Sequence, residues 1–553
     1  MATPAGPQKR RRVTQACDYC HRRSIRCRPA DGDAHSRCTN CIDFSQPCTR
    51  NRIVQRRGAK PKQQTARQAT PDATREVSST ATTPRSFEAS AVSAWSGPHV
   101  ASQAVVVDLI EIYFEVVYPI FPLFHRPTFL RQISRGEYTS NRQLFAVTMA
   151  ACALSSARVT DNAVTNMVWD HQNLLSTSSD VFYEAAIGAL PTTETPKQSL
   201  DLMRAYALLS LAAIQNGKTR DMQAYLGRYH ALVAMDGLHD EENWPRDLTV
   251  VELEERRRLY WSMYTLDIFF SVVFDSMARS REQQSNVRYP TELDDAFFDN
   301  TGYRGDYQSP INCSSPSNHV SPDSWLHGYN IITDLWRLIE HVTVKLQRHT
   351  KRKRSYLEIT ADFETFPSAA TIQVEIDRIY YNLPRHFLVT EEMSGDRTKD
   401  LYGFQAANIT ATVQLLRMVL LASEENTVEQ RCRVVSEVVN AFMQIPISYL
   451  RAISSPLLHH LRGIGSILGG VLEESLNSYQ YQQVRTVLLS LAQLLENLDF
   501  GNHSVQSAQK LRDLVTRIDH HMALRVDKDS TASDALPFSP ISGLQLPHDF
   551  LFE

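Results

Sequence analysis

Cysteines near the start of the 553-residue chain repeat with one spacing, and this repeat constrains the fold more than any other feature. The two copies are Cys17-x2-Cys20-x6-Cys27 and Cys38-x2-Cys41-x6-Cys48. Cysteines spaced in this way are typical of structural zinc sites. The three other cysteines are scattered over the remaining chain, and no signal peptide precedes the cluster. We therefore expect a reduced compartment and metal-bound thiolates, not a disulfide framework.

The number of thiolates predicts how the metal is shared. Two tetrahedral zinc ions need eight bonds, whereas six thiolates used once each supply only six. Two cysteines must then bridge, and Cys17 and Cys38 are the candidates because they head the two repeats. The predicted cofactor is two Zn²⁺ in one binuclear cluster. The alternative is a single zinc held by four cysteines, with two spare thiols.

Charge divides the chain into a basic start and an acidic remainder. Residues 9–62 contain 15 Lys and Arg against 4 Asp, a net charge of +11. Since the whole chain carries −3, the other residues carry −14. This asymmetry predicts that the first 62 residues meet nucleic acid phosphates and that the rest of the chain does not.

The two cysteine repeats differ in the charges between their second and third cysteines. The first contains His21 and three arginines, whereas the second contains Asp43 and no cation. Arginine can donate two hydrogen bonds to a guanine edge, so the first repeat is predicted to face the DNA bases. The candidate DNA-binding residues are Arg22, Arg23, Ser24, Arg26 and Arg28. The candidate phosphate contacts and nuclear import signal are Lys9, Arg10, Arg11, Arg12, Arg56, Arg57, Lys60 and Lys62.

The cysteine pattern is similar to that of the fungal binuclear zinc cluster (Zn2Cys6) transcription factors, which is C-x2-C-x6-C, a variable loop, then C-x2-C-x6-C. This resemblance implies that Cys17 and Cys38 bridge and that the module reads CGG-like triplets in the major groove. The family usually places a base-contacting lysine where this chain has Ser24. We therefore expect Arg23 to take the reading role.

Composition predicts a mostly α chain with four parts. These are a basic Zn2Cys6 DNA-binding domain (1–62), a disordered linker (63–103), an all-helical regulatory domain with a loop insertion at about 300–323 (104–526), and an acidic-hydrophobic tail (527–553). Residues 63–100 hold 22 Ser, Thr, Ala or Pro among 38 and no leucine, which rules out a readable coiled coil there. Beyond residue 104, apolar residues recur at threes and fours, as in Val106, Leu109, Ile110 and Tyr113. No run reaches the ~18 apolar residues of a membrane span.

Three stretches of the helical part resemble the regulatory middle domain of the same family. They are Tyr113-Phe114 with Tyr118 to His125, Ala224 to His239, and Glu255 to Trp261 with Tyr264 and Asp267. Residues Arg256 to Arg258, with Trp261 and Asp267, are predicted to serve packing and ion pairing at helical spacing. Effector contact is the alternative for them.

These features together predict a nuclear, zinc-dependent, sequence-specific DNA-binding activator of RNA polymerase II genes. Acidic-hydrophobic tails behave as activation segments, so the transcription machinery or co-activators are predicted partners of residues 527–553. Dimerisation, if it occurs, is expected through the helical domain, which is also where a small-molecule inducer would bind. No nucleotide-binding loop or nucleophile motif indicates an enzyme. The alternative function is a zinc-stabilised protein-interaction or co-regulator module that binds DNA only non-specifically.

Overall fold

A computed structural model of the chain describes residues 16–18, 20, 27, 37–43, 47–49, 95–164, 166, 168–191, 200–274, 276–304, 324–350, 368–422, 427–453, 477–498 and 508–520. The chain divides into two units, Met1–Ala89 and Ser90–Glu553. We call the first the cysteine module and the second the helical body.

Helices make up nearly all of the described structure. The cysteine module contains α1 (Thr39–Asp43). The helical body contains α2 (Gln103–Ile112), α3 (Arg126–Ser134), α4 (Arg142–Thr160), α5 (His171–Leu174), α6 (Ser179–Ala189), α7 (Leu200–Gln215), α8 (Thr219–Asp236), α9 (Val250–Val273), α10 (Trp325–Thr350), α11 (Ala369–Asn382), α12 (Arg397–Ala422), α13 (Val428–Gln444), α14 (Ile447–Ile453), α15 (Ser478–Leu498) and α16 (508–520). The predicted mostly α fold class is confirmed.

One small hairpin is the only sheet in the described part of the chain. Strands β1 (Phe298–Asp299) and β2 (Gly302–Tyr303) pair antiparallel, with Phe298 opposite Tyr303. Gly302 has φ +144°, a conformation that side chains with a Cβ rarely adopt. The loop insertion predicted at about 300–323 thus starts inside this hairpin, and residues 305–323 lie outside the described residues.

The helical segment that begins with α2 ends in a turn that is wider than the α-helical turn predicted by the spacing of its apolar residues. The apolar pattern of α2 continues through a π-helical turn, Tyr113–Val117, which ends before Pro119. The Tyr118 amide donates to the Tyr113 carbonyl at 2.8 Å, five residues back. Such turns insert one extra residue into a helix and are frequent at functional sites.

Side chains at the helix starts explain where several helices begin. Thr249 caps α9 by accepting from the amide of Glu252, whose carboxylate accepts from the Thr249 amide in return. Thr427 and Gln430 form the same reciprocal pair at α13. Each pair satisfies amides that a helix start would otherwise leave without partners.

Helix α4 is the centre of the first half of the helical body. Its side chains are buried from Leu144 to Val159. Small residues such as Ala146, Ala150 and Ala153 let neighbouring helices approach closely, and α4 packs against both α6 and α7. Helix α7 in turn packs on α8, while α10 packs on α12 and α13 packs on α15. One continuous hydrophobic core runs through all of these helices.

Helix α12 is the one described helix that is long and apolar enough to cross a membrane. Its apolar window is 78% buried inside the helical body. Burial of this extent is what a core helix of a soluble protein shows.

A buried ion pair joins distant parts of the helical body. Arg258 of α9 is fully buried and contacts Asp295 at 2.6 Å. The same carboxylate accepts from the Tyr118 hydroxyl at 2.7 Å and from the Arg126 amide at 2.8 Å. Burial alone would raise the pKa of Asp295, but the Arg258 guanidinium and the other donors hold it below its ordinary value. Asp295 is therefore ionised at neutral pH and holds α9, the π turn and α3 together.

We expect Asp295→Ala to destabilise the helical body by about 3–5 kcal/mol, because it leaves the Arg258 charge buried without a partner. Chemical denaturation followed by far-UV circular dichroism would measure the loss. The matched control is Glu496→Ala, which removes the exposed pair with Arg512 at 2.8 Å and is expected to cost less than about 1 kcal/mol. Equal effects of the two substitutions would contradict this role of Asp295.

Candidate metal centre

The six repeated cysteines come together around α1 of the cysteine module. Cys38 immediately precedes α1, and Cys41 lies within it. Four of the six are fully buried, namely Cys17, Cys20, Cys38 and Cys41; Cys27 is 8% exposed and Cys48 is half-buried. All six are free thiols.

Their sulfur atoms form two overlapping groups of four. One group is Cys17, Cys20, Cys27 and Cys38, and the other is Cys17, Cys38, Cys41 and Cys48. Within each group all sulfurs lie within 4.8 Å of one another. Cys17 and Cys38 belong to both groups, so they lie where a sulfur shared between two ions would have to lie.

The distances between sulfurs fit tetrahedral coordination. In a site with Zn–S bonds of about 2.3 Å, neighbouring sulfurs are about 3.8 Å apart. Cys17 Sγ lies 3.7 Å from Cys38 Sγ and 3.6 Å from Cys41 Sγ. Cys20 Sγ lies 3.5 Å from Cys38 Sγ. This donor set of thiolates is one that zinc prefers, so the cluster is suited to bind metal.

The backbone repeats around the two shared sulfurs. The Cys20 amide points at Cys17 Sγ over 3.5 Å, and the Cys41 amide points at Cys38 Sγ over 3.4 Å. In addition, the Cys38 amide points at Cys48 Sγ over 3.5 Å. Each C-x2-C pair thus folds so that its second amide supports its first sulfur, as the sequence repeat requires.

These contacts affect the ionisation of the thiols. Burial alone would raise the pKa of Cys17 and Cys38, but hydrogen bonds from backbone amides and neighbouring thiols outweigh it, so both pKa values are lowered. Burial raises the pKa of Cys27 and Cys41, helped by interactions with neighbouring sulfurs. The two shared sulfurs therefore lose a proton more readily than those of Cys27 and Cys41, and thiolates are what metal binding requires.

A polar contact closes the module near its two ends. The Asp18 amide donates to the Thr49 carbonyl at 2.8 Å, and the Thr49 hydroxyl donates to the Asp18 carboxylate at 2.8 Å. Residues next to the first and the last repeated cysteine are thus held side by side. This keeps Cys17 and Cys48 within one sulfur group.

The predicted DNA contacts lie outside the described residues, and the structure says nothing of their side chains. These are Arg22, Arg23, Ser24, Arg26 and Arg28, together with Lys9, Arg10, Arg11, Arg12, Arg56, Arg57, Lys60 and Lys62. Their roles remain predictions.

In α9, side chains of the third stretch that resembles the regulatory domain form contacts within the helical body. Arg257 contacts Glu241 at 2.8 Å and Glu254 at 2.9 Å, and all three side chains are largely buried. Asp267 accepts from the amides of Arg279 and Ser280 at 2.6 and 2.7 Å. The expected packing and ion pairing in this helix are confirmed.

The first and third stretches contact each other directly, and two further charged residues that the sequence analysis did not single out join the contact. Glu255 accepts from the His125 amide at 2.7 Å and contacts Arg204 at 2.6 Å. The missed residues are Arg204 and Asp295, and Asp295 also bonds Tyr118. Arg204 lies in an apolar stretch and Asp295 lies beside another aspartate, and no spacing pattern marks either as functional. Their role follows from burial and from the partners that folding supplies.

A comparison with protein families identifies the helical body. Residues 110–365 match the model of the fungal specific transcription factor domain. This range contains all three stretches that resemble the regulatory domain. It starts inside α2 and includes the π turn and α3 through α10.

Curated relatives point the same way. "Activator of stress genes 1" of Saccharomyces cerevisiae is 20% identical over 298 residues, which is 52% of this chain and 30% of that protein. The "ABC-transporter-regulating transcription factor" of Aspergillus oryzae is 26% identical over 197 residues, 34% of this chain and 20% of that protein. The "Nitrogen assimilation transcription factor nirA" of Emericella nidulans is 26% identical over 171 residues, 30% of this chain and 18% of that protein.

This chain spans less than a third of the length of each of these relatives. No solved structure matches it. The matched domain and the named relatives are those of transcription factors and not of enzymes. Residues 110–365 of the helical body are thus similar to the regulatory domain of fungal transcription factors.

Proposed function

We propose that this chain is a zinc-dependent, sequence-specific DNA-binding transcription factor that acts in the nucleus on RNA polymerase II genes. The observation that carries the proposal is the pair of overlapping sulfur groups that share Cys17 and Cys38. Two tetrahedral ions with six thiolates require two shared sulfurs, and the geometry supplies two. Such a cluster would hold the module in one shape without a large hydrophobic core.

The cluster charge fits a DNA-facing module. Two Zn²⁺ and six thiolates carry −2 together, and residues 9–62 carry +11 before the metal is counted. Because the surrounding charge exceeds that of the cluster, the module stays strongly cationic. This supports attraction to the phosphate backbone, which supplies most of the affinity of DNA-binding proteins.

The first cysteine repeat is proposed to read the bases. The segment between Cys20 and Cys27 carries Arg22, Arg23 and Arg26, whereas the segment between Cys41 and Cys48 carries Asp43 and no cation. Arg23 is proposed to contact the guanine edges of a CGG-like triplet, since Ser24 is too short to replace a long cation. Arg28 and the basic segment 56–62 would contact phosphates and position the module.

The helical body is proposed to regulate this module. The name of one relative, "Activator of stress genes 1", supports a role in switching genes on. Residues 527–553 are proposed to recruit the transcription machinery or co-activators, with the helical body as the site of homodimer formation and of inducer binding.

Zinc content tests the shared sulfurs. We expect about two zinc ions per wild-type chain by elemental analysis, and loss of most of both in Cys17→Ala, because Cys17 belongs to both sulfur groups. Cys20→Ala should lower the content by about one ion, since Cys20 belongs to one group. Cys152→Ala, which removes a buried thiol of the helical body, is the matched control and should keep the wild-type content. One zinc per wild-type chain would refute the binuclear cluster.

Base reading is tested by Arg23→Ala. We expect zinc to stay bound while the preference for the selected triplet over a mismatched one falls by about 1–3 kcal/mol. Lys60→Ala is the control for a phosphate contact and should weaken binding to both duplexes about equally. Fluorescence anisotropy at several salt concentrations measures both effects. An unchanged preference in Arg23→Ala would remove this residue from the reading surface.

Selection from random duplexes with the zinc-loaded full chain identifies the site itself. We expect enrichment of a CGG-like triplet, with a preference over random DNA of about a thousandfold or more. A single triplet would indicate a monomer, and paired triplets at a fixed spacing would indicate a dimer. Strong binding without enrichment would instead support a zinc-stabilised interaction module that holds DNA by charge alone.

A further inference from the structure

A cavity opens in the helical body beside the π turn. Its wall is built from this turn, the segment before α5 and the start of α12, and it is lined by Glu111, Phe114, Glu115, Asn166, Trp169, Met393, Gly395, Arg397, Asp400, Leu401 and Phe404. The extra residue of the π turn places Phe114 and Glu115 next to each other in this wall. None of the contacts described for the metal centre involves these residues.

The charges that line the cavity are mostly satisfied within the protein. Glu111 contacts Arg126 at 2.8 Å. The Asp400 carboxylate accepts from the amides of Ser394 and Gly395 at 2.8 and 2.9 Å, and it thereby shapes the loop that forms one wall. These two carboxylates are already bonded, so they have little need of a ligand.

One cation in the wall forms no close ion pair with any described residue. Among the described residues no hydrogen bond or ion pair reaches the Arg397 guanidinium, and its Nε is buried without a partner. It lies over the rings of Phe114 and Tyr118, at 5.9 and 5.8 Å from their centres. Burial lowers the pKa of Arg397, and the nearby Arg126 guanidinium lowers it further. A carboxylate at this place would offset both effects.

One carboxylate in the wall is only half satisfied. Glu115 accepts from the Trp169 indole N–H at 2.9 Å through one oxygen, and no described residue donates to the other. Burial raises the pKa of Glu115 and the Asp400 charge adds to the increase, whereas the Trp169 hydrogen bond and the nearby Arg397 charge act against it. A nearby ammonium group would offset the remaining increase, because a cation favours the ionised form. The cavity therefore presents a guanidinium that forms no ion pair with a described residue and a carboxylate with one hydrogen-bonded oxygen.

The apolar part of the wall and the volume of the cavity limit which ligand fits, in addition to the two charges. Phe114, Trp169, Leu401 and Phe404 are apolar or aromatic, and Phe114 and Phe404 are almost fully buried. The cavity has a volume of about 110 Å³. One water needs about 10–15 Å³ of cavity, so the space holds on the order of ten non-hydrogen atoms. A nucleotide is too large for this volume. A phosphate group is disfavoured because the wall carries three carboxylates, Glu111, Glu115 and Asp400, and one arginine, Arg397.

We propose that this cavity binds a free α-amino acid with an apolar side chain, with its carboxylate on Arg397, its ammonium on Glu115 and its side chain against Phe114, Trp169 and Phe404. The inference names the class of small molecule that would act on the regulator proposed above. Binding itself needs neither zinc nor DNA. A failure here therefore leaves the metal and DNA proposals as they stand, and their failure does not affect this one.

The test is ligand-induced stabilisation of the full chain, measured without DNA by thermal unfolding and then by calorimetry. The probes are L-leucine, L-methionine and L-phenylalanine, compared with 3-phenylpropanoate and 2-phenylethylamine, which each keep one of the two charges. We expect at least one amino acid to raise the melting temperature, and the singly charged analogues to bind at least about tenfold more weakly. No shift with any of the three amino acids up to about 10 mM would overturn the proposal. Equal binding of phenylpropanoate and phenylalanine would also overturn it.

Variants locate the site. Glu115→Gln and Arg397→Gln should each weaken binding by about tenfold or more, since each removes one charged partner. The matched controls are Glu375→Gln and Arg378→Gln on exposed α11, which remove the same charges elsewhere and should bind like wild type. Wild-type affinity in both cavity variants would overturn the proposal. If either variant fails to fold, Met393→Trp decides, because Met393 is partly exposed and a larger ring there should block the cavity and abolish binding without unfolding the chain.

Discussion

The cysteine module depends on its sulfur cluster, because little else is buried in its described part. Among the described residues, five cysteines form its buried cluster, and Ala16 and Cys48 pack against it. A unit of this size buries too little apolar surface to offset the entropy of ordering its chain. Metal binding to the thiolates would supply that free energy, as in other small metal-bound domains. The described part of the module therefore centres on Cys17 and Cys38, whose sulfurs belong to both groups.

The helical body differs from the cysteine module because it has a large hydrophobic core. Several charged side chains are buried within this core. Arg204, Arg257 and Arg258 are all largely buried, and each meets at least one carboxylate within 3 Å. Buried ion pairs contribute little net stability compared with apolar packing, but losing one partner is costly. Such pairs specify which segments meet. In α9 they engage Arg257 with Glu241 and Glu254, and Arg258 with Asp295, inside the helical body.

The sequence is informative where chemistry fixes the spacing. Cysteine spacing predicted that these six residues come together, and it singled out Cys17 and Cys38, which belong to both sulfur groups. Apolar periodicity predicted the helical body. It could not predict Asp295, which lies among other acidic residues and meets Arg258, 37 residues away in the chain. Nor could it predict the π turn, because an extra residue per turn leaves the apolar pattern of residues 106–117 almost unchanged. Both features depend on tertiary packing. The spacing of apolar residues within one segment does not reveal which distant residues that segment contacts.

The π turn connects the cavity with the buried ion pair through very few atoms. Phe114 and Glu115 line the cavity, while Tyr118, at the end of the same turn, donates to Asp295 at 2.7 Å. The Arg397 guanidinium lies over the rings of both Phe114 and Tyr118. A carboxylate that draws Arg397 toward the cavity would change the field at Tyr118, and through its hydroxyl at Asp295. Adjacency of this kind permits coupling without establishing it, because coupling requires two states that a ligand stabilises unequally. A π turn differs from an α-helical turn by one inserted residue. Two states of this segment could therefore differ by that residue alone, with little change in the surrounding packing.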